Sequence, residues 1–409
     1  MATRREFLAA AGAGAAGLAV GSGATAFFER DDGLQSGAAA VPFYGQHQAG
    51  IATAAQDRLV FAAFDVTVAS KGELRDLLRE WTHAAALMTK GVPIGSVGGN
   101  ENAPPTDTGE ALGLGPAQLT ITFGLGGLLF APDRIGLTSR RPSLLRPLGH
   151  LPGDALDPAQ SDGDICVQAC ANDPQVAFHA VRNLARLGIG AAVLRWAQLG
   201  FGRTSSTVST QETPRNLQGF KDGTRNLHGD SPDEMNRFVW VGTEEPQAWF
   251  RGGSYVVARR IRMLIDKWDR AVLEDQEQTI GRFKVSGAPL TGHKEHDPLD
   301  LDARGADGRP VIPHDAHVRL AAPSNNEGEA ILRRGYSFTD GIDVTSGELD
   351  AGLFFIAYQR DPHRQFAAIQ TRLGTRDALN EYILHTGGGL FAVPPGIRPG
   401  GFVAEGLFA

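Results

Sequence analysis

Apolar and polar positions along the chain fall into short segments whose period switches between that of a strand and that of a helix. After a Gly/Ala-rich linker around Ser36 to Ala40, the stretch Leu59 to Val68 reads as a strand. From Lys71 to Lys90 the residues Leu74, Leu77, Leu78, Trp81, Ala85 and Met88 recur at the spacing that places them on one helical stripe. Leu119, Ile121, Phe123 and Leu125 alternate with Thr120, Thr122 and Gly124, the two-residue period of a strand. Ile165 to Ala169 reads as a further strand that leads into a helix from Pro174, since proline suits the first helical position. Ala191 to Gln198 predicts the strand that closes this half.

The second half repeats the order. A strand is predicted over Tyr255 to Met263, a helix over Asp266 to Ile280, then a long insert, a strand over Gly352 to Tyr358 and a helix from Pro362. Identities repeat as well: Ala169-x3-Asp173-Pro174-x3-Phe178-x-Ala180 matches Ala357-x3-Asp361-Pro362-x3-Phe366-x-Ala368. Each copy lies at a strand-to-helix junction, where Asp can cap the helix that Pro begins. The pattern implies a duplication. Each half offers the order of a split β-α-β unit, with helices on one face of an antiparallel sheet. The expected fold class is therefore α+β, two ferredoxin-like domains over residues 40–215 and 216–409, with the bare sheet faces meeting as a sandwich. A chain of 409 residues agrees with two cores rather than one.

Ahead of these halves, Thr3-Arg4-Arg5-Glu6-Phe7-Leu8 precedes a weakly apolar run from Ala9 to Val20, then Ala24-Thr25-Ala26. A charged start, a short apolar stretch and an A-x-A site make residues 1–26 a secretory leader, too short to span a membrane. The paired arginines followed by Phe-Leu resemble a twin-arginine signal. That route carries folded proteins, commonly with a cofactor in place, and predicts a periplasmic, cell-envelope or extracellular protein.

The composition, 42% hydrophobic and 21% charged, is that of a soluble globular protein, and 52 Gly with 23 Pro imply many turns. A net charge of -7 with both signs dispersed gives no electrostatic basis for nucleic-acid or anionic-membrane partners. Cys166 and Cys170 fall in one predicted strand, roughly 13 Å apart at 3.3 Å per residue. A disulfide spans no more than about 7 Å between Cα atoms, so both are read as buried thiols.

Three segments gather Gly, charge and His outside the regular elements: Gly219-Phe220-Lys221-Asp222-Gly223-Thr224-Arg225-Asn226, His314-Asp315-Ala316-His317-Val318-Arg319-Leu320, and Ile331-Leu332-Arg333-Arg334-Gly335-Tyr336-Ser337. Taken alone, an Asp-Gly pair is a turn and a lone His a structural residue. In this order and spacing, the three segments resemble the dye-decolorizing peroxidases. Tyr44-Gly45-x-His47-Gln48-Ala49-Gly50-Ile51, Gly281-Arg282-x-Lys284-x-x-Gly287-Ala288-Pro289-Leu290 and Thr386-Gly387-Gly388-Gly389 are similar to the exported branch that contains the deferrochelatase/peroxidase of ferrous-iron uptake. The likeness covers nearly all of the chain after the leader, and the duplicated ferredoxin-like fold of that family agrees with the one inferred from the pattern.

The resemblance implies a peroxidase with one haem b per chain. It would reduce hydrogen peroxide through an oxyferryl intermediate and oxidise dyes, phenols or ferrous iron. Carried over by position, His317 is the proximal ligand of the haem iron. Asp222 is the distal acid-base group. Arg333 stabilises the charge that develops on the peroxide oxygens. Arg334 adjoins Arg333 on the opposite side of an extended chain and is the weaker candidate. Asn226 would hold a distal water network, and Gly223, Thr224 and Arg225 would border the porphyrin. An aspartate in place of a histidine implies an acidic activity optimum. Ala322-Pro323-Ser324 stands where the family carries an Asn-Pro-Arg turn, which puts the contact with the haem edge in doubt.

His314 could reach a propionate; His293 and His296 read as solvated loop residues, and the five tryptophans as core. Two further readings stay open: release of iron from haem with the porphyrin intact, and a non-catalytic haem carrier. The pair Asp222 and Arg333 favours catalysis, since a carrier gains nothing from it. Iron-uptake components as partners and a homo-oligomer are left open by the sequence.

Overall fold

The computed structural model describes residues 40–132 and 134–409. The leader expected over residues 1–26 lies outside the described residues. The first half runs β1 (Arg58–Val66), α1 (Lys71–Met88), β2 (Thr120–Gly126), β3 (Ile165–Ala171), α2 (Pro174–Leu187) and β4 (Ala192–Arg203). α1 starts where Ser70 and Glu73 satisfy each other's backbone N–H in a capping box, and its stripe of Leu74, Leu78 and Trp81 is buried. With Val176, Ala180 and Leu184 of α2, that stripe covers Val60, Phe64, Ile121 and Phe123 on one face of the sheet.

The second half adds α3 (Pro232–Phe238), β5 (Ser254–Met263), α4 (Ile265–Trp268), α5 (Leu273–Ile280), α6 (His317–Ala321), β6 (Leu332–Arg333), β7 (Tyr336–Ile342), β8 (Leu349–Gln359), α7 (Ala368–Arg376) and β9 (Ile383–Val393). Antiparallel pairing gives the order β4–β1–β3–β2 in the first half and β9–β5–β8–β7 in the second. The two orders correspond strand for strand. The repeated Asp-Pro junction does the same work in both: Asp173 accepts the N–H groups of Gln175 and Val176, and Asp361 those of His363 and Arg364.

The halves do not stop at facing sheets. β4 pairs with β7 and β2 with β9, so β4–β1–β3–β2–β9–β5–β8–β7 closes into a ring, with β6 on β8. Closure leaves no free edge among these strands. The faces without helices turn into the ring's interior, where Phe61 lies 5.5 Å from Trp196, 5.2 Å from Phe354 and 6.2 Å from Phe391 between ring centroids. β2 is consequently buried on both faces, although its alternation alone fits a half-exposed strand.

Three expectations change. The helix expected over Asp266 to Ile280 is broken into α4 and α5: Trp268 turns inward to donate its indole N–H to the Gln218 carbonyl at 3.1 Å, and the Gln276 side chain satisfies the carbonyls of Trp268 and Ala271. The helix from Pro362 opens with a π turn, His363–Ala367, in which the buried Gln365 amide donates to the carbonyls of Phe238 and Ala330. Gly387 to Gly389, expected only as a motif, lies inside β9, where a Cβ at Gly388 would fall 2.0 Å from the Ala258 carbonyl. Both cysteines are free and buried, as read from their spacing. No helix among the described residues is long and apolar enough to cross a membrane.

Candidate active site

The segment between β4 and α3 carries Asp222. Its backbone N–H donates to the Pro214 carbonyl at 2.9 Å. The next residue, Gly223, has φ +96°, and a Cβ there would press on the Ser205 backbone at 3.0 Å. The Asp222 carboxylate is mostly covered. One oxygen accepts from Arg333 Nη1 at 2.7 Å and the other from Asn216 Nδ2 at 3.3 Å.

Arg333 ends β6, which is held to β8 by the register Leu332↔Tyr358 and Arg333↔Ala357. An extended chain points neighbours to opposite sides. Arg334 is accordingly fully buried, donating to the carbonyls of Thr53 and Ala54 and to Gln56 Oε1, far from the Asp222 carboxylate that Arg333 meets. Asn226 is buried too. Its Oδ1 accepts the Arg333 N–H at 2.8 Å, and its Nδ2 donates to the carbonyls of Arg333 and Ser206, each at 2.8 Å. Both ends of the amide thus hold the Arg333 backbone.

His317 opens α6, and its Nδ1 lies 2.6 Å from Asp377 Oδ2. Asp377 follows α7, and its other oxygen accepts the Leu379 N–H at 2.9 Å. With both oxygens placed, the carboxylate directs the ring and keeps the proton on Nδ1, leaving the Nε2 lone pair outward. Burial pulls His317 toward the neutral form, but the charge and hydrogen bond of Asp377 more than reverse this, and its proton affinity stands above the ordinary imidazole value. Asp222 raises and Arg333 lowers that affinity by their charges, so the three side chains share one environment. Although His317 lies deep among protein atoms, 34% of its side-chain surface is open, so the ring borders accessible space.

The residues around His317 fit a haem group. A single imidazole with its second nitrogen held by a carboxylate is the donor set of a haem-iron ligand. Among the described residues, no group of three or more His, Cys, Asp and Glu side chains is arranged to hold a bare metal ion. Positive charge is gathered nearby: burial and the like charges of Arg225 and Arg333 push the Arg282 guanidinium down to about 10, with Glu295 opposing them. Arg225 is exposed and Thr224 donates its hydroxyl to Glu295 Oε1 at 3.1 Å. Ala322 is buried after α6, and Pro323–Asn325 forms a 3-10 turn that includes Ser324; Asn326 ties the turn to the carbonyls of Leu320 and Ala322. His314 is exposed, as is His296.

Asp377 and Asn216 escape the sequence reading, and Glu295 enters it only as a member of the polar loop of His293 and His296. Asp377 is 60 residues from His317, and nothing local in Gly-Thr-Arg-Asp marks a partner for it.

Both halves of the chain match known proteins. Residues 48–202 match the family model described as Dyp-type peroxidase, N-terminal, and residues 213–398 the one described as Dyp-type peroxidase, C-terminal. The chain is 40% identical over 362 residues to a deferrochelatase of Escherichia coli K12, covering 87% of this chain and 84% of that protein. The crystal structure of a DyP-type peroxidase from Streptomyces coelicolor is similar with a TM-score of 0.83 and 42% identity, over 90% of this chain and 97% of that one. An oxyferrous/water mixed complex of DtpA from Streptomyces lividans is similar with a TM-score of 0.84 and 41% identity, over 91% and 98%.

Proposed function

The chain belongs to the Dyp-type peroxidase family, and on that premise we propose that the space between His317 and the Asp222–Arg333 pair is its haem pocket. The protein is a haem-dependent peroxidase with the duplicated ferredoxin-like fold of that family. Haem, when bound, supplies the iron that receives hydrogen peroxide and stores its oxidising equivalents. His317 would hold that iron through Nε2, while Asp377 keeps the imidazole oriented and electron-rich.

Asp222 would move a proton from one oxygen of hydrogen peroxide to the other, so that the second oxygen can leave as water once haem, when bound, supplies the two electrons that O–O cleavage requires. Arg333 keeps the carboxylate aimed through Nη1 and offsets the negative charge that grows on the peroxide as its O–O bond weakens. Gly223 seats the turn beside Asp222 against the Ser205 backbone, with Thr224 and Arg225 beyond it at the rim of the proposed pocket. Ala322, Pro323 and Ser324 border the opposite, His317 side. The electron donor is a dye, a phenol or ferrous iron.

The single observation that carries this reading is the Asp222–Arg333 pair sharing its surroundings with an imidazole whose far nitrogen is already held. Its test is the absorption spectrum of the isolated protein before and after one equivalent of hydrogen peroxide. Rapid conversion of a ferric haem spectrum, lost in Arg333→Ala and Asp222→Asn with haem still bound, supports it. A haem protein indifferent to peroxide would point to a carrier.

The 40% identity with a deferrochelatase favours one second reading, release of iron from haem with the ring intact. Metal-free porphyrin accumulating on the protein under reducing conditions would distinguish it. We further propose export by the twin-arginine route through Arg4-Arg5, to the periplasm, cell envelope or beyond, with cleavage after Ala26. Mass measurement of the exported protein decides it.

A further inference from the structure

The segment bearing Asp222 is gripped from outside by the insert that follows α5. Arg215 donates to the carbonyls of Lys284 at 2.6 Å and Val285 at 2.8 Å. The Lys221 stem crosses Gly287, where a Cβ would lie 2.7 Å from Lys221 Cδ. At the centre of the grip sits Glu295, whose side chain is 12% exposed. Its Oε1 accepts the Thr224 hydroxyl at 3.1 Å, its Oε2 accepts from Lys221 Nζ, and the Thr213 side chain adds a third donor. Its own carbonyl accepts from Arg282 Nη1 at 2.9 Å. The carboxylate thus holds the residue immediately before Asp222 and the one two positions after it.

Resting on the peroxidase reading above, we propose that Glu295 is a positioning residue for Asp222, anchoring Lys221 and Thr224 on either side of it and opposing the positive charge of Lys221, Arg225, Arg282 and Arg333. Two physical consequences follow from one side chain. Without the anchor, the Asp222 carboxylate drifts from the place where it meets Arg333, and catalytic geometry tolerates little drift. Without the charge, Lys221, Arg225, Arg282 and Arg333 stand unopposed beside the Asp222 segment, and a haem iron nearby is more easily reduced. The groups facing Glu295 are Lys221, Arg282 and the exposed His296, and those facing the active pair are Arg225, Arg282 and His317.

Glu295→Gln keeps the shape and removes the charge; Glu295→Ala removes both; Glu295→Asp keeps the charge. In the haem-loaded protein, Glu295→Gln is expected to raise the reduction potential of the haem, with haem occupancy unchanged. Glu295→Ala adds a loss of turnover of about tenfold or more, and Glu295→Asp restores most of it. A potential that stays at the wild-type value in Glu295→Gln would overturn the proposal, leaving Glu295 a structural residue. Hydrogen exchange over residues 219–226 without haem keeps this separate from the peroxidase reading. If the wild type binds no haem, that reading fails, while faster exchange in Glu295→Ala still supports the anchor and unchanged exchange overturns it.

Discussion

Asn226 closes a two-point clasp on the backbone of Arg333, accepting its N–H at 2.8 Å and donating to its carbonyl at 2.8 Å, across 107 residues of chain. The clasp resembles one rung of a sheet ladder supplied by a side chain, and it determines where the guanidinium stands over Asp222. On the proposed peroxidase reading, Asn226 would act through Arg333.

Asn226→Ala leaves buried polar groups on Arg333 and Ser206 without partners, at a cost of about 1–3 kcal/mol. Turnover should fall by about ten- to a hundredfold with haem retained, as the guanidinium loses its placement. Denaturant unfolding alongside steady-state kinetics checks both. Wild-type turnover in a destabilised protein would show that the clasp serves folding alone.

Asp377→Asn offers one acceptor oxygen where two are used, so either His317 or the Leu379 N–H loses its partner. The imidazole becomes less firmly directed and a poorer donor. Haem affinity is expected to drop about 10- to 100-fold and the reduction potential to rise, read by haem transfer to a competing apoprotein and by spectroelectrochemistry.

Stability should decline on the acid side through His385. Burial and the positive charge of Arg259 depress its proton affinity from 6.5 to about 4, with Asp154 opposing them, and its Nδ1 has no hydrogen-bond partner. Between those values the unfolded chain binds a proton that the folded chain refuses, so unfolding becomes easier as pH falls from 6.5 toward about 4, by on the order of 3 kcal/mol. His385→Gln should flatten this part of the profile. An equally steep loss in that variant would assign the effect to other groups.

Cys166 and Cys170 should resist alkylation in the folded protein and react once it is unfolded, because burial pushes both thiols up and away from the reactive thiolate. Labelling followed by mass measurement in the presence and absence of denaturant settles the point.

The elements that local physics specifies were readable without coordinates. The stripe of α1, the alternation of β2 and the repeated Asp-Pro junctions depend on neighbours a few residues away, and each appears in the structure within a few residues of its expected bounds. His317, Asp222 and Arg333 were legible because their segments carry chemistry outside regular elements and resemble a family pattern. Ring closure was not legible. β4 meeting β7 and β2 meeting β9 are pairings between halves, and an alternating strand carries no mark of which distant edge it will join. The break between α4 and α5 follows from an inward turn of Trp268 toward Gln218, which periodicity does not register.

The same limit applies at the site. Which of two adjacent arginines faces Asp222 depends on how β6 is registered against β8, and what Asn226 does depends on a backbone 107 residues away. The sequence by itself determined residue chemistry, element type and the duplication, since these rest on side-chain identity and short-range periodicity. The tertiary structure decided the partners, Asp377 for His317, Asn226 for Arg333 and Glu295 for the Asp222 segment, because hydrogen bonds between distant segments are selected only when packing brings the donors and acceptors together and excludes the water that would otherwise satisfy them.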